Sequence, residues 1–140
     1  MKLLALFLLV FLTSCATRSP KVVKEKPEAP VYLSPLKGSL EVIGRGVFIR
    51  SRCGDFVRAV AEGRVVYSGK DVDNFGWVVM VEQKDGFLSV YGKINNPWVR
   101  SGERVKRRQV IGKAGRWKDA CGVYYELRDK EGKPLKPVLR

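Results

Sequence analysis

Histidine is absent from all 140 residues of this chain. Imidazole is a common ligand of catalytic zinc and the side chain that most often moves protons near neutral pH, so the chain lacks that chemistry. Lys93 could act as a base, but the sequence shows no evident nucleophile or oxyanion partner for it. Paired carboxylates placed for a metal-independent hydrolase are not evident either. These observations favour a binding function over catalysis.

The start of the chain has the pattern of an export signal. Lys2 precedes an apolar run over residues 3–12, which is too short to remain as a membrane-spanning helix. The run ends in the sequence LTSC, which resembles a bacterial lipobox and implies cleavage before Cys15 and lipidation of that cysteine. The alternative is an ordinary signal peptide followed by a chance cysteine. Residue Ala16 is not the aspartate that retains enteric lipoproteins in the inner membrane, so the resemblance implies the outer membrane, facing the periplasm.

Three segments follow from this pattern. Residues 1–14 are predicted to be the signal peptide, residues 15–35 a lipid anchor with a semi-extended tether, and residues 36–140 one folded domain. The tether prediction rests on four prolines and several charged residues in a stretch with few large apolar side chains.

From residue 38 onward the local signals are those of strands. Residues 46–50 and 64–67 are predicted to be short strands, and residues 77–81 are an unbroken apolar run of strand length. Asp85-Gly86 is a hairpin signal that joins this run to residues 87–91. Outside the signal peptide, no window of helical length shows an apolar stripe with a 3.6-residue period. Many short strands with glycine turns predict an all-β sandwich or barrel.

Four segments in order carry a resemblance to a known family, the LytM-type (lysostaphin-like) cell-wall zinc endopeptidases. They are GRGVFI (44–49), VRAVAEGRVVYSG (57–69), the stretch from FLSVYGK (87–93) through VRSGERV (99–105) to QVIG (109–112), and VYYELR (123–128). Over about residues 34–138 the chain resembles the catalytically inactive NlpD/EnvC-like amidase-activator lipoproteins of that family. The resemblance implies a twisted antiparallel sheet, or β-sandwich, with a shallow groove.

The residues that the family uses for chemistry are replaced in this chain. By resemblance, the three zinc-ligand positions correspond to Gly44, Phe48 and Tyr124, and the two catalytic histidine positions correspond to Lys93 and Gly122. No ligand remains at these positions, so we expect a pseudo-peptidase with no metal and no other cofactor.

The two remaining cysteines, Cys53 and Cys121, form an even pair in an exported chain. In the family the ligands at Phe48 and Tyr124 touch one metal, which implies neighbouring strands there and brings the two cysteines within disulfide range. A disulfide is therefore expected. Free thiols are one alternative, and a new zinc site that also uses Asp55 or Glu126 is another.

Aromatic and basic side chains are the candidates for binding. The expected groove residues are Arg45, Tyr91, Lys93, Trp117 and Tyr124, with Tyr125 and Arg50 as further neighbours. The densest basic segment is expected to form an anion-binding edge that contains Arg100, Arg104, Lys106, Arg107 and Arg108. The alternative is that this segment is an ordinary solvated loop.

The formal net charge of +13 favours anionic partners. Export argues against nucleic acid and for the carboxylates of peptidoglycan or for lipid headgroups. We therefore expect a non-catalytic envelope lipoprotein that binds peptidoglycan, a wall amidase (an N-acetylmuramoyl-L-alanine amidase) or both, and so localises or activates peptidoglycan hydrolysis during cell division or wall remodelling. A structural peptidoglycan-binding lipoprotein and a barrel-sandwich-like periplasmic adaptor are the alternatives.

Overall fold

The computed structural model describes residues 28–70 and 73–140. This part of the chain contains thirteen strands and one short 3₁₀ turn, Asp73–Phe75. The strands are β1 (Val31–Tyr32), β2 (Ser39–Ile43), β3 (Gly46–Arg50), β4 (Phe56–Arg58), β5 (Gly63–Gly69), β6 (Val78–Gln83), β7 (Leu88–Gly92), β8 (Ile94–Asn95), β9 (Arg104–Val105), β10 (Val110–Trp117), β11 (Ala120–Arg128), β12 (Pro134–Leu135) and β13 (Val138–Leu139). The predicted all-β class is confirmed.

Eleven of these strands form one sheet. Its main path runs β2-β3-β11-β7-β6-β5-β9, and neighbouring strands on this path are antiparallel. Strand β10 forms a hairpin with β11 and also pairs with β4 and β8, and β12 pairs with the end of β11. Strand β11 therefore lies at the centre of the architecture, in contact with β3, β7, β10 and β12.

The hairpin between β6 and β7 forms where the sequence predicts it. Gly86 adopts a φ of 91°, a left-handed conformation that glycine reaches without a steric cost. The Asp85 carboxylate accepts a hydrogen bond from the Phe87 amide at 3.1 Å. These local contacts set the register in which Glu82 faces Leu88.

Successive residues of β11 point to opposite faces of the sheet, as the period of two requires. Val123, Tyr125 and Leu127 point into the main hydrophobic core, where each is fully buried. Tyr124 and Glu126 are also buried, but they point to the other face and are not part of that core. The candidate site lies on this second face.

Strand β1, which lies before residue 36, is part of the folded domain. Strand β1 pairs in parallel with β13, and the Tyr32 carbonyl accepts a hydrogen bond from the Arg140 amide at 2.8 Å. The Tyr32 ring is buried in the main core, and its hydroxyl donates to the Asp85 carboxylate. The expected tether over 15–35 is therefore corrected at its end. From Val31 onward the chain packs against the domain, because the backbone of β1 pairs with β13 near the end of the sequence.

The expected signal peptide and the lipidation site Cys15 lie outside the described residues. Among the residues that are described, no helix has the length and the apolar composition needed to cross a membrane.

Candidate binding groove

Phe48 and Tyr124 lie side by side at the centre of the second face. They are register partners on β3 and β11, and Tyr124 also faces Gly92 on β7. The expectation that Phe48 and Tyr124 occupy neighbouring strands is confirmed. Both side chains are buried, Phe48 almost completely.

A second ring packs against each of these two side chains. The Phe48 ring lies 5.2 Å from the ring of Trp117, between centroids, at a tilt of 51°. The Tyr124 ring stacks on Phe75, with 4.7 Å between centroids and 12° between planes. The four rings contribute to the lining of one cavity in the groove.

Two glycines make room for these rings. A Cβ atom added at Gly122 would lie 2.8 Å from Cζ of Phe48, and one added at Gly92 would lie 3.2 Å from Cδ1 of Tyr124. Any larger residue at Gly122 would therefore clash with the Ile49 carbonyl oxygen, 2.1 Å from the added Cβ atom, as well as with Phe48. The glycines at these two positions are part of the site, a role that the sequence analysis did not assign to Gly92.

The phenol of Tyr124 is engaged within the sheet. Its hydroxyl donates to Oε2 of Glu126 at 3.1 Å, and Oε1 of Glu126 accepts from Nε of Arg128 at 2.8 Å. Burial, followed by the charge of Glu126, raises the pKa of Tyr124 well above its usual value. The hydroxyl is therefore protonated near neutral pH and donates a hydrogen bond to Glu126.

Lys93 closes one side of the groove. It adopts a φ of 59°, and its ammonium donates to the carbonyl of Asn74. Its amide donates to the carbonyl of Phe75 at 2.7 Å, which holds the 3₁₀ turn against the sheet. A cavity of about 180 Å³ remains beside these groups, lined by Ile43, Phe48, Asn74, Phe75, Lys93, Trp117 and Tyr124.

Comparison with known proteins agrees with this geometry. Residues 43–137 match Peptidase family M23. The chain belongs to this family. A crystal structure of a peptidase M23 from Pseudomonas aeruginosa shares the fold of this M23 domain with a TM-score of 0.66 at 23% identity, over 76% of this chain and 48% of that one.

Two curated relatives are similar to this M23 domain. The lipoprotein NlpD/LppB homolog of Pseudomonas aeruginosa is 31% identical over 97 residues, which cover 69% of this chain and 32% of that protein. The murein hydrolase activator NlpD of Escherichia coli is 30% identical over 102 residues, which cover 72% of this chain and 27% of that protein. The chain spans less than a third of the length of either relative.

At the three positions that correspond to zinc ligands by resemblance, the side chains of this M23 domain do not fit a zinc ion. Gly44 offers no side chain, Phe48 offers no donor atom, and the Tyr124 phenol is protonated and donates its hydrogen to Glu126. In the described ranges, no group of three or more His, Cys, Asp or Glu side chains could hold a metal ion.

A new zinc site from the cysteines also does not fit. Cys53 and Cys121 are joined by a disulfide with 5.0 Å between their Cα atoms, so neither offers a thiolate. The Asp55 carboxylate accepts from the Arg52 amide at 3.1 Å, and Glu126 is paired with Arg128. The disulfide joins β11, one residue before Gly122, to the loop that follows β3.

The expected groove residues divide into two sets. Lys93, Trp117 and Tyr124 line the groove, and the exposed Arg45 lies close enough for its charge to act on the Tyr124 phenol. Tyr91, by contrast, is fully buried in the main core beside Tyr125, so its assignment to the groove is wrong. Its hydroxyl accepts from the Val60 amide at 2.9 Å, and burial raises its pKa to about 12.

Gly44 and Arg50 are not among the residues that line this cavity. Gly44 is exposed in the turn between β2 and β3, with a φ of 56°. Arg50 is also exposed and pairs with Glu41 at 3.6 Å. Lys118 lies over the Trp117 ring, with its ammonium 4.4 Å from the centroid.

The basic edge is not uniform. Arg100, Arg104, Lys106 and Arg107 are exposed, and Arg104 sits on β9 directly opposite Arg64. Arg108 is different, because its guanidinium donates to the carbonyl of Ser34 at 2.8 Å and to that of Leu33 at 3.4 Å. Arg108 thus fastens the start of the domain, and its assignment to an anion-binding edge is corrected.

Proposed function

We propose that this chain is a non-catalytic envelope lipoprotein that binds a peptidoglycan amidase, or peptidoglycan itself, and thereby localises or activates wall hydrolysis during division or remodelling. The observation that carries the proposal is the pair Phe48 and Tyr124, which lie side by side in an M23 domain, each packed against a further ring. A groove without metal ligands can still present shape, aromatic surface and the charge of Lys93 to a partner.

The names of the relatives support the same reading. The Escherichia coli relative is called a murein hydrolase activator, and the Pseudomonas aeruginosa relative is called a lipoprotein. Because the chain corresponds to less than a third of either protein, the activator role and the lipid anchor are proposals for this chain.

The test is amidase stimulation by groove variants. Tyr124→Ala removes the ring that stacks on Phe75, whereas Tyr124→Phe keeps the ring and removes only the hydroxyl. We expect the full chain to stimulate a wall amidase, Tyr124→Ala and Lys93→Glu to lose most of that effect, and Tyr124→Phe to keep it. Circular dichroism must show that each variant is folded. Full stimulation by folded Tyr124→Ala would show that the groove is not the functional surface.

Passive wall binding is the second candidate, and the net charge of +13 favours it. Sedimentation with purified wall sacculi, without any amidase, separates the two functions. A chain that sediments with sacculi but stimulates no amidase is a structural peptidoglycan-binding lipoprotein. The match to Peptidase family M23 favours both candidates over a barrel-sandwich adaptor.

A further inference from the structure

An exposed aromatic pair lies beside strands β4, β10 and β8, with Phe56 on β4 and Trp98 in the loop that follows β8. The side chains of Phe56 and Trp98 are 47% and 50% exposed, although both are large and apolar. Their ring centroids are 5.6 Å apart at an interplanar angle of 64°. The two rings support each other at the surface and are not covered by the described part of the chain.

Polar groups are aligned beside these rings by the strand register. Lys113 on β10 faces Phe56 on one side and Asn95 on the other, so the three side chains form one row across the sheet. The Lys113 ammonium lies 6.0 Å from the centroid of each ring. The row places an aromatic surface, a cation and an amide next to one another.

The backbone around this patch is fixed. The Trp98 amide donates to the carbonyl of Ile111 at 2.9 Å, and the Ala114 amide donates to the carbonyl of Asp55 at 2.8 Å. The Asp55 carboxylate is turned to the Arg52 amide, and no described carboxylate pairs with Lys113. The ammonium of Lys113 is therefore available to an external anion.

We propose that Phe56, Trp98, Lys113 and Asn95 form a binding site for peptide-free glycan strands of peptidoglycan, distinct from the groove. This proposal rests on the proposed function, since it assumes a chain that faces the wall. A pyranose ring has an apolar face of C–H groups that packs on an aromatic ring, and polar edges that bind an amide or an ammonium. The four side chains offer both kinds of contact within one row.

The position of the cation favours a carboxylate that is borne by the sugar itself. When an amidase removes the stem peptide, the amide on the lactyl group of N-acetylmuramic acid becomes a free carboxylate. That carboxylate lies only a few bonds from the sugar ring, which matches an ammonium 6.0 Å from both aromatic centroids. Carboxylates of an intact stem peptide lie farther from the sugar, so the site is suited to the product of the amidase.

The size of the patch favours a glycan over a protein partner. A stable protein interface buries roughly 800 Å² on each partner, with an apolar centre. Here two aromatic side chains are bordered by the exposed polar residues Asn95, Asn96 and Lys113. Such a small platform suits one or two sugar rings.

The experiment follows the indole signal of Trp98 by NMR, in the full chain purified in detergent. The probes are soluble glycan oligomers without peptides, the same oligomers with peptides attached, and chitotetraose, which has no carboxylate. We expect the peptide-free oligomers to bind roughly tenfold more tightly than the other two, because they alone combine the sugar with an adjacent carboxylate.

Variants test each part of the site. Trp98→Ala is expected to weaken binding roughly tenfold or more, and Trp98→Phe, which keeps a ring, is expected to weaken it less. Lys113→Gln should abolish the preference for peptide-free oligomers over chitotetraose. Leu40→Ala, which removes another apolar side chain that is 51% exposed, is the matched control and should leave binding unchanged.

Several outcomes would overturn the proposal. They are equal binding of all three probes by the parent, unchanged binding by both Trp98→Ala and Phe56→Ala, and a Trp98 signal that responds to an amidase or to dilution but not to glycan. The last outcome would identify a protein partner or a second copy as the occupant. If peptide-free glycan does not bind while amidase stimulation persists, only this inference is refuted. If amidase stimulation and sacculus binding are both absent, the proposed function is refuted as well.

Discussion

Phe48 and Tyr124 face each other across strands β3 and β11, and each is packed against a further ring, Trp117 or Phe75. The same two positions correspond to zinc ligands in the resemblance to LytM-type peptidases. The aromatic pair does more than remove ligands, because the rings packed against it make the surroundings of these two positions apolar. A polar ion placed among these rings would lose its hydration without gaining donors.

The first prediction is that the purified full chain holds far less than about one zinc per molecule. Gly44, Phe48 and Tyr124 supply no ligand atom that suits the metal, and the thiols of Cys53 and Cys121 are joined to each other. Elemental analysis after dialysis against a zinc buffer measures the content. A stoichiometric content that survives this dialysis would contradict the prediction.

The sequence predicted that Phe48 and Tyr124 are neighbours because the segments that carry the family resemblance are short and follow one another in a fixed order along the chain. The expected adjacency of Phe48 and Tyr124 agrees with the strand register. The face of the sheet to which each tyrosine side chain points was harder to predict. Adjacent residues such as Tyr124 and Tyr125 must point to opposite faces, but the face on which Tyr91 lies depends on its pairing with Tyr125, and only the three-dimensional register gives that pairing.

The second prediction concerns the disulfide. The bond between Cys53 and Cys121 closes a loop with a sequence separation of 68 residues. In the loop-entropy description, such a closure stabilises the fold by about 4 kcal/mol. Reduction should therefore lower the urea midpoint of the parent strongly. The variant with serine at both positions is the control, and its midpoint should be low with or without reductant. An unchanged midpoint on full reduction of the parent would refute this expectation.

The third prediction concerns Cys15, which lies outside the described residues. If the sequence LTSC is a lipobox, Cys15→Ser should prevent lipidation and leave a soluble or uncleaved protein. Fractionation of cells followed by mass spectrometry distinguishes the forms. The parent should carry acyl chains and sediment with membranes. A Cys15→Ser band of mature size that still sediments with membranes would exclude the lipobox interpretation.

The fourth prediction is a loss of stability at alkaline pH. Burial raises the pKa of Tyr91 to about 12 and raises those of Tyr124 and Tyr125 as well. An unfolded tyrosine has a pKa of about 10. The folded state therefore keeps protons that the unfolded state releases above about pH 10. The stabilisation is complete below that pH and is lost as pH rises through the folded pKa values.

The measurement is the free energy of unfolding in urea at about pH 9 and about pH 11, with tyrosinate absorbance recorded alongside. For each buried tyrosine, the loss is at most about 1.4 kcal/mol per pH unit within the window. Tyr91→Phe removes one titrating group and should make the decline with pH shallower. A free energy that does not fall between these two pH values would show that the buried phenols are not coupled to folding.

The contacts of Arg108 show where sequence reasoning stops. Its neighbours in the sequence are basic, which suggested a common role on an exposed edge. The guanidinium instead binds carbonyls at Leu33 and Ser34, more than 70 positions away in the chain, as the sequence separations of 75 and 74 record. The pairing of β1 with β13 joins residues that are still farther apart in the sequence, such as Val31 and Val138. Composition and local pattern carry no information about such contacts.

The last prediction separates the structural arginine from the exposed ones. Arg108→Glu removes two hydrogen bonds to the start of the domain and places a carboxylate near the carbonyls of Leu33 and Ser34. We expect a loss of about 2 kcal/mol in the free energy of unfolding. Arg107→Glu makes the same change of charge one residue earlier, at an exposed side chain, and should alter stability by less than about 0.5 kcal/mol.

Wall binding, unlike stability, should depend on the exposed arginines. Arg104→Glu combined with Arg107→Glu should reduce sedimentation with sacculi at low salt, and the difference from the parent should shrink as salt is raised, because exposed charges are screened. Urea unfolding and sacculus sedimentation of the same preparations provide the two readouts. If Arg107→Glu destabilised the fold as much as Arg108→Glu, the backbone contacts of Arg108 would not be what distinguishes it. If the double variant bound sacculi like the parent at low salt, the exposed arginines would be ordinary solvated charges.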